Sequence, residues 1–414
     1  MRRTLTAGLV LALTFSALGG SVLAQAEADP DPTGSPVAGE PDSDAIAEPE
    51  VELDSEAMAT PPVEVTLPFV DPRWGRITPE KGPAAREDHT WTVDGEGRYA
   101  YLFGGRDGDR EYGDLWRYDL VRDKWKRLRP KGKAPTPRFG HNAVWVDAHG
   151  VVVFAGQRGT DFFNDLWAFD PDRGKWRKLP TRGAAPRKRY GSCLVVGPDD
   201  RLWVSHGFTN AGRFDDTRAY NLKSERWAVL TPDGRVPGER CLHECFTSAT
   251  GELVLYGGQD DGAFALGDLW TMGRDREWRH HDDPRPKPRR LYGVTEAGDY
   301  AYVFGGAGED DQPLADLWRV DRRTLEFERV RVGGGHPAAR YAGTLITDTQ
   351  RGRLLLFGGQ GANAKADVWE LVDRAPAANE PMAEPDEPMA EPGEPAGESA
   401  GEPSPAPEIA VEDT

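Results

Sequence analysis

Residues 99–125 read YAYLFGGRDGDREYGDLWRYDLVRDKW, and the order of parts in this stretch recurs along the chain. An apolar run ends in the doublet Gly104-Gly105, the triplet Asp114-Leu115-Trp116 follows, and a second aromatic, Trp125, comes nine residues after the first. The triplet returns as Asp165-Leu166-Trp167, Asp268-Leu269-Trp270, Asp316-Leu317-Trp318 and Asp367-Val368-Trp369, with Asp216-Thr217-Arg218 in the remaining slot. Successive Asp positions differ by 51, 51, 52, 48 and 51, which defines six units.

The runs ahead of the triplets are Tyr99 to Gly105, Val151 to Gly156, Leu202 to Gly207, Leu253 to Gly258, Tyr300 to Gly306 and Leu354 to Gly359. They are too short for helices and apolar on both faces, so they read as strands covered on both sides. The second aromatics Trp125, Trp176, Trp227, Trp278 and Phe327 mark a further strand in each unit. An opening strand, a buried strand, a triplet strand and an aromatic strand make a four-stranded antiparallel blade. Radial stacking of blades would cover the inner strands on both faces.

Glycine doublets followed by a spaced aromatic pair resemble the kelch repeat, and the resemblance spans about 71–374. It implies an all-β, six-bladed kelch-type β-propeller, similar to the central domain of galactose oxidases. The sixth unit lacks its second aromatic, while Trp74-Gly75-Arg76-Ile77-Thr78-Pro79 lines up with Trp125-Lys126-Arg127-Leu128-Arg129-Pro130. The strand around Trp74 is therefore expected to close blade six and remove a free edge.

Charge separates the propeller from its flanks. Residues 26–70 carry 12 acidic groups and 375–414 carry 11, with no Lys or Arg in either stretch, whereas 71–374 is close to neutral. All 13 Trp lie between Trp74 and Trp369. The net charge of −18 thus belongs to the ends and does not describe a calcium buffer, and the near-neutral centre argues against nucleic acid. Arg2 and Arg3 before an apolar stretch and a small-x-small site ending at Ala24 or Ala26 read as a signal peptide over 1–24. The expected organisation is then a disordered acidic Pro-rich linker at 25–62, the propeller at 63–374 and a disordered Glu/Pro-rich tail at 375–414. An exported monomer, periplasmic or extracellular, without a membrane span follows. Cys193, Cys241 and Cys245 are expected to be buried free thiols, the last two within one strand and none beside a ligand set.

The face with the inter-blade loops and the second-to-third-strand loops is the better candidate for binding. An Arg opens every unit: Arg86, Arg138, Arg189, Arg240, Arg289 and Arg340. A sixfold ring of guanidinium groups near the channel mouth is a candidate for holding carboxylates or phosphates; the other reading is that each Arg, as part of the repeat, ties its blade to the neighbour or to backbone carbonyls. Phe162, Phe208 and Phe264 fall in the loops between second and third strands and suit a protein or glycan partner. Three residues after the Arg come His89, His141, Ser192, His243, Tyr292 and Gly343, read as core positions, and His280-His281 is read as part of an inter-blade linker. Blade three departs most from the pattern, with His206, Thr217 and Arg218.

No nucleophile elbow, phosphate loop or Cys-x-x-Cys is present, and neither catalytic residues, a cofactor nor a metal is expected. The function expected is an exported binding or scaffold module using its long-loop face. The alternative is a channel enzyme of the sialic-acid mutarotase type, acting on an anionic sugar held by the Arg ring.

Overall fold

The structure, a computed structural model, describes residues 69–373 apart from 109, 231, 233 and 283–285. The signal peptide, linker and tail expected at the two ends lie outside the described residues. Each glycine-terminated apolar run becomes the second strand of an antiparallel sheet. In blade one the strands are Thr90–Val93, Tyr99–Phe103, Leu115–Asp119 and Lys124–Leu128, hydrogen-bonded in that order. Five further sheets repeat this order, and their first strands pack side by side in a closed ring of six around a central channel. The all-β six-bladed propeller is thus the observed fold.

No single core fills the molecule; the core lies between blades. Leu102, Tyr118 and Trp125 of blade one pack with Leu355 and Phe357 of blade six, and Val152 and Phe154 of blade two pack with Val204, Tyr220 and Trp227 of blade three. Runs apolar on both faces are what this arrangement needs, since each sheet is covered by two neighbours. The second aromatic of a blade rests on the ring that ends the preceding blade's apolar run: Trp176 on Phe103 at 5.2 Å, Trp227 on Phe154 at 5.3 Å, Phe327 on Tyr256 at 5.1 Å. Trp125 does the same with Phe357 across the junction of blades six and one.

Closure is by strand exchange. Pro72–Ile77 pairs antiparallel with Val368–Asp373, with Trp74 opposite Leu371, and forms the outer strand of blade six. Trp74 rests on Phe304 of blade five at 5.6 Å, the same relation that the other second aromatics make with their preceding blade.

The glycine doublets have a stereochemical cause. The second residue of each pair, a glycine in all six blades even where Ala155 or His206 replaces the first, has φ between 91° and 107° and donates its N–H to the carbonyl of the Arg that opens the next blade. Gly105 to Arg138 is 2.9 Å, and Gly359 to Arg86 closes the circle at 2.9 Å. A Cβ on Gly105 would lie 2.7 Å from the Glu87 carbonyl oxygen and 2.8 Å from His89 Cβ, so a side chain is excluded as well as strained.

Three expectations are corrected. Cys193 and Cys245 form a disulfide, with Cα atoms 5.6 Å apart, and only Cys241 is a free thiol. The two cysteines lie on the inner strands of adjacent blades, Cys193–Val196 and Glu244–Thr247, so the bond crosses a blade interface; Cys241 precedes the second strand and bridges Gln259 instead. Closing a span of 52 residues stabilises the fold by about 4 kcal/mol in the chain-entropy account. His280 and His281 belong to the outer strand Trp278–His281 of blade four and not to a linker.

Candidate functional site: the long-loop face and channel

The six opening arginines are buried within the blades. Arg138 donates Nε to the Thr136 carbonyl at 3.0 Å, Nη1 to the Ala155 carbonyl at 2.8 Å and to Asp165 at 2.7 Å, and Nη2 to the other Asp165 oxygen at 3.3 Å. The same fork joins Arg86 to Asp114, Arg189 to Asp216, Arg240 to Asp268, Arg289 to Asp316 and Arg340 to Asp367. Burial raises the pKa of these aspartates, but the hydrogen bonds and charge of the arginines outweigh it and hold each below the ordinary carboxylate value. The backbone of each Arg is gripped by the preceding blade on both sides, as in Arg138 N–H to Tyr112 and Gly105 N–H to Arg138. The Arg therefore rivets two blades together, and with its side chain 0–3% exposed it presents no fork to a ligand. Of the two readings of these residues, an Arg that ties its blade to a neighbour and to backbone carbonyls is the one that describes these contacts.

Blade three keeps the device by substitution. In five blades the triplet Trp donates its indole N–H to the Asp, as Trp167 does to Asp165 at 2.8 Å; in blade three Arg218 Nε donates to Asp216 at 2.8 Å.

Two residues beyond each Arg, a second ring narrows the channel. Asp88, Gly140, Gly191, Leu242, Leu291 and Ala342 all have φ between 52° and 60°, and each N–H donates to the carbonyl of its predecessor, with Asp88 donating to Ala342 to complete the circuit. Four of these are not glycine, so the circuit of hydrogen bonds offsets the cost of left-handed backbone.

The residues between the two rings, Glu87, Phe139, Tyr190, Cys241, Arg290 and Tyr341, each pair with a residue of their own blade, in the loop after the second strand or, for Phe208 and Gln259, at the end of the longer second strands Leu202–Thr209 and Leu253–Gln259, and form the rim of the long-loop face. The rim is uneven. Over blades one to three it carries an aromatic cluster, with Tyr190 5.6 Å from Phe139 and 5.2 Å from Phe208, and Phe162 6.0 Å from Phe208. The Arg106 guanidinium lies 4.3 Å above Phe139 and pairs with Glu87 at 3.0 Å and Asp88 at 3.4 Å. Tyr190 reaches over blade two to donate its hydroxyl to Asp88 at 3.0 Å, which is possible because Gly140 lies beneath the ring; a Cβ there would sit 1.7 Å from it. Burial raises the carboxyl pKa of both acids, that of Glu87 to about 7 with help from the Asp88 charge. On blade four Phe264 is 69% exposed. Of the three loop phenylalanines, Phe162 and Phe208 are thus packed together near Tyr190, and Phe264 stands apart in solvent.

The channel has a volume of about 620 Å³ and runs from Asp88 and Tyr190 at the long-loop mouth to Asp94 and Gln350 at the other end. Glu244 lines it, and burial, with the Asp88 charge, pushes its carboxyl to about 8. Composition held no signal for Glu244, because an acid at one position of one repeat looks like any other polar substitution. His89 and His141 pack edge-on against Phe357 and Phe103, as core residues do. His243 meets His206 in place of a phenylalanine, and with Cys193 and Cys245 it forms a cluster that the sequence reading did not assemble. No helix among the described residues is long and apolar enough to cross a membrane.

The KLHDC2/KLHL20/DRC7 Kelch-repeats domain matches residues 66–258 and 234–373. Kelch domain-containing protein 10 of Xenopus tropicalis is 24% identical over 306 residues, covering 67% of this chain and 72% of that protein. An F-box/kelch-repeat protein of Arabidopsis thaliana is 26% identical over 269 residues, 57% of this chain and 55% of its own length. The human leucine-zipper-like transcriptional regulator 1 is 27% identical over 253 residues, 57% of this chain and 29% of that protein. With the match running through all six blades, the chain belongs to the KLHDC2/KLHL20/DRC7 kelch-repeats domain family.

Proposed function

We propose that this propeller is an exported binding module that captures a protein partner on its long-loop face. Kelch propellers typically bind proteins, and the observation that supports this face is its rim: the Arg106 guanidinium over Phe139 on blade one and, apart from it, the exposed Phe264 on blade four. Aromatic and Arg side chains are the usual anchors of protein interfaces. The channel enzyme loses its main support, since the arginines assigned to an anionic sugar are bound to aspartates. Export is supported by the signal-like start of the sequence and by the Cys193–Cys245 disulfide, which persists in oxidising compartments.

The test is capture from the exported fraction with full-length protein and two variants. One combines Phe264→Ser with Arg158→Glu, Arg158 being an exposed residue between the second and third strands of blade two on the same face. The other is Val121→Ser, Val121 being an exposed residue of the turn between the third and fourth strands of blade one on the opposite face. A partner kept by Val121→Ser and lost by the double variant supports the reading. A partner retained by the double variant, or saturable binding of a sugar by the channel, overturns it. Mass spectrometry of the mature N-terminus reads export, with cleavage expected after Ala24 or Ala26.

A further inference from the structure

At most blade junctions a residue of one inner strand reaches the next blade. Four residues beyond its opening Arg, Thr90 of blade one bonds Nε2 of His141 in blade two at 2.9 Å, and Asn142 of blade two bonds Ser192 of blade three at 2.8 Å. The residue reached lies three beyond the next Arg. The corresponding pair between blades three and four is Cys193 and His243. There Cys193 is bonded to Cys245 instead, two residues further along the strand. His243 is 1% exposed, and neither ring nitrogen makes a hydrogen bond of good geometry, although the Ser205 backbone interacts with the ring. Its ring faces His206, whose Nε2 is also buried and makes no hydrogen bond of good geometry, although the Pro237 backbone interacts with that ring.

One ligand atom each from Cys193, His243 and Cys245 lies within 4.8 Å of the others. Ligand atoms around a tetrahedral zinc ion, with Zn–S about 2.3 Å and Zn–N about 2.0–2.1 Å, are separated by roughly 3.3–3.8 Å. Two thiolates and one imidazole are a donor set for a borderline-soft divalent ion, and His243 and Cys245 line the channel, which supplies an entry path.

We propose that Cys193, His243 and Cys245 form a metal site for a zinc-like divalent cation that is available only when the inter-blade disulfide is reduced. The junction of blades three and four then has two alternative fastenings. Reduction by a phosphine and water breaks the S–S bond and yields two thiols and a phosphine oxide. Binding of one M²⁺ then releases the two thiol protons and forms two metal–sulfur bonds, with the neutral imidazole as third ligand and one coordination position left open. Reoxidation by a small-molecule disulfide re-forms the Cys193–Cys245 bond, breaks the two metal–sulfur bonds, reduces the oxidant to two thiolates and releases the ion. Metal and disulfide exclude each other because both need the same sulfur electron pairs.

The test uses tag-free full-length protein, oxidised or phosphine-reduced and desalted, titrated with Co²⁺ and then Zn²⁺. Reduced protein is expected to bind one Co²⁺ per chain with a thiolate-to-cobalt charge-transfer band that Zn²⁺ displaces, and oxidised protein none. His243→Gln, which keeps the disulfide, weakens the reduced form's affinity at least about tenfold. Cys193→Ser abolishes the band, and Cys241→Ser leaves it unchanged. Reduced protein without a cobalt band, equal binding by oxidised protein, or full affinity in His243→Gln overturns the proposal. Should Cys193→Ser fail to fold, the comparison of wild type with His243→Gln still decides it.

Discussion

Arg218 Nε donates to Asp216 at 2.8 Å, in the place where five other blades use a tryptophan indole. The third blade's departure from the repeat therefore preserves the donor and changes only its carrier. Arg218 also extends Nη1 to the Ala184 carbonyl at 3.2 Å. Arg218→Trp is expected to keep stability within about 1 kcal/mol, and Arg218→Ala to lose about 1.5–3 kcal/mol by removing a charge-assisted bond. Urea unfolding of the two variants checks this; equal losses would mean that the donor does not matter.

Arg138→Ala leaves Asp165 partly buried without its fork and opens the junction with blade one. The expected cost is about 3–5 kcal/mol, as for other broken buried pairs. A loss under about 1 kcal/mol would show that the guanidinium is not the rivet described.

The aspartates of these pairs have depressed pKa values in the folded state, so the stability they add is present above about pH 3.8, their ordinary value, and is lost as pH falls through the folded values. Asp165→Asn should flatten the acid limb of the stability curve, measured as melting midpoint against pH below 5, while lowering stability at neutral pH.

Glu244 has the opposite sign. Its folded pKa is raised from 4.5 to about 8, so the folded state holds the proton more tightly than the unfolded chain, and stability falls as pH rises through that window. Glu244→Gln should raise the melting temperature at pH 8 and change it little at pH 4. No gain at pH 8 would place water or a counter-charge beside the carboxylate.

Trp74→Ala removes the aromatic of the closing strand from Phe304 and is expected to destabilise the entire propeller by about 3–5 kcal/mol. Deleting residues 61–78 should be worse, because it also uncovers the edge of Val368–Asp373. An unchanged melting temperature in the deletion would contradict closure by this strand.

Much of the fold was legible because it rests on period and on short-range stereochemistry. Gly105, Trp125 and the correspondence of Trp74 with Trp125 each have a local signature, and each has the place in the blade that the repeat requires. The disulfide was not legible, because Cys193 and Cys245 sit at different offsets from their arginines and only the inter-blade register brings them together. The aspartate partners of the arginines do have a signal in the sequence: the triplet Asp persists even in blade three, where its Trp does not. A residue retained when its neighbour changes has its own partner, and Arg189 is the cation that repeats with Asp216. The mouth cluster has no local signature, because Tyr190 meets Asp88 across an intervening blade, over a glycine that looks ordinary in the repeat.

The pairing of Pro72 with Asp373 places the two ends of the described chain side by side at one end of an antiparallel ladder. Tension applied to both ends would load that ladder's bonds one after another, as in peeling, and not all together, as in shear. The propeller is thus mechanically weakest along the line of its own ends, and it would yield at modest force by shedding one strand before any blade interface is pulled apart.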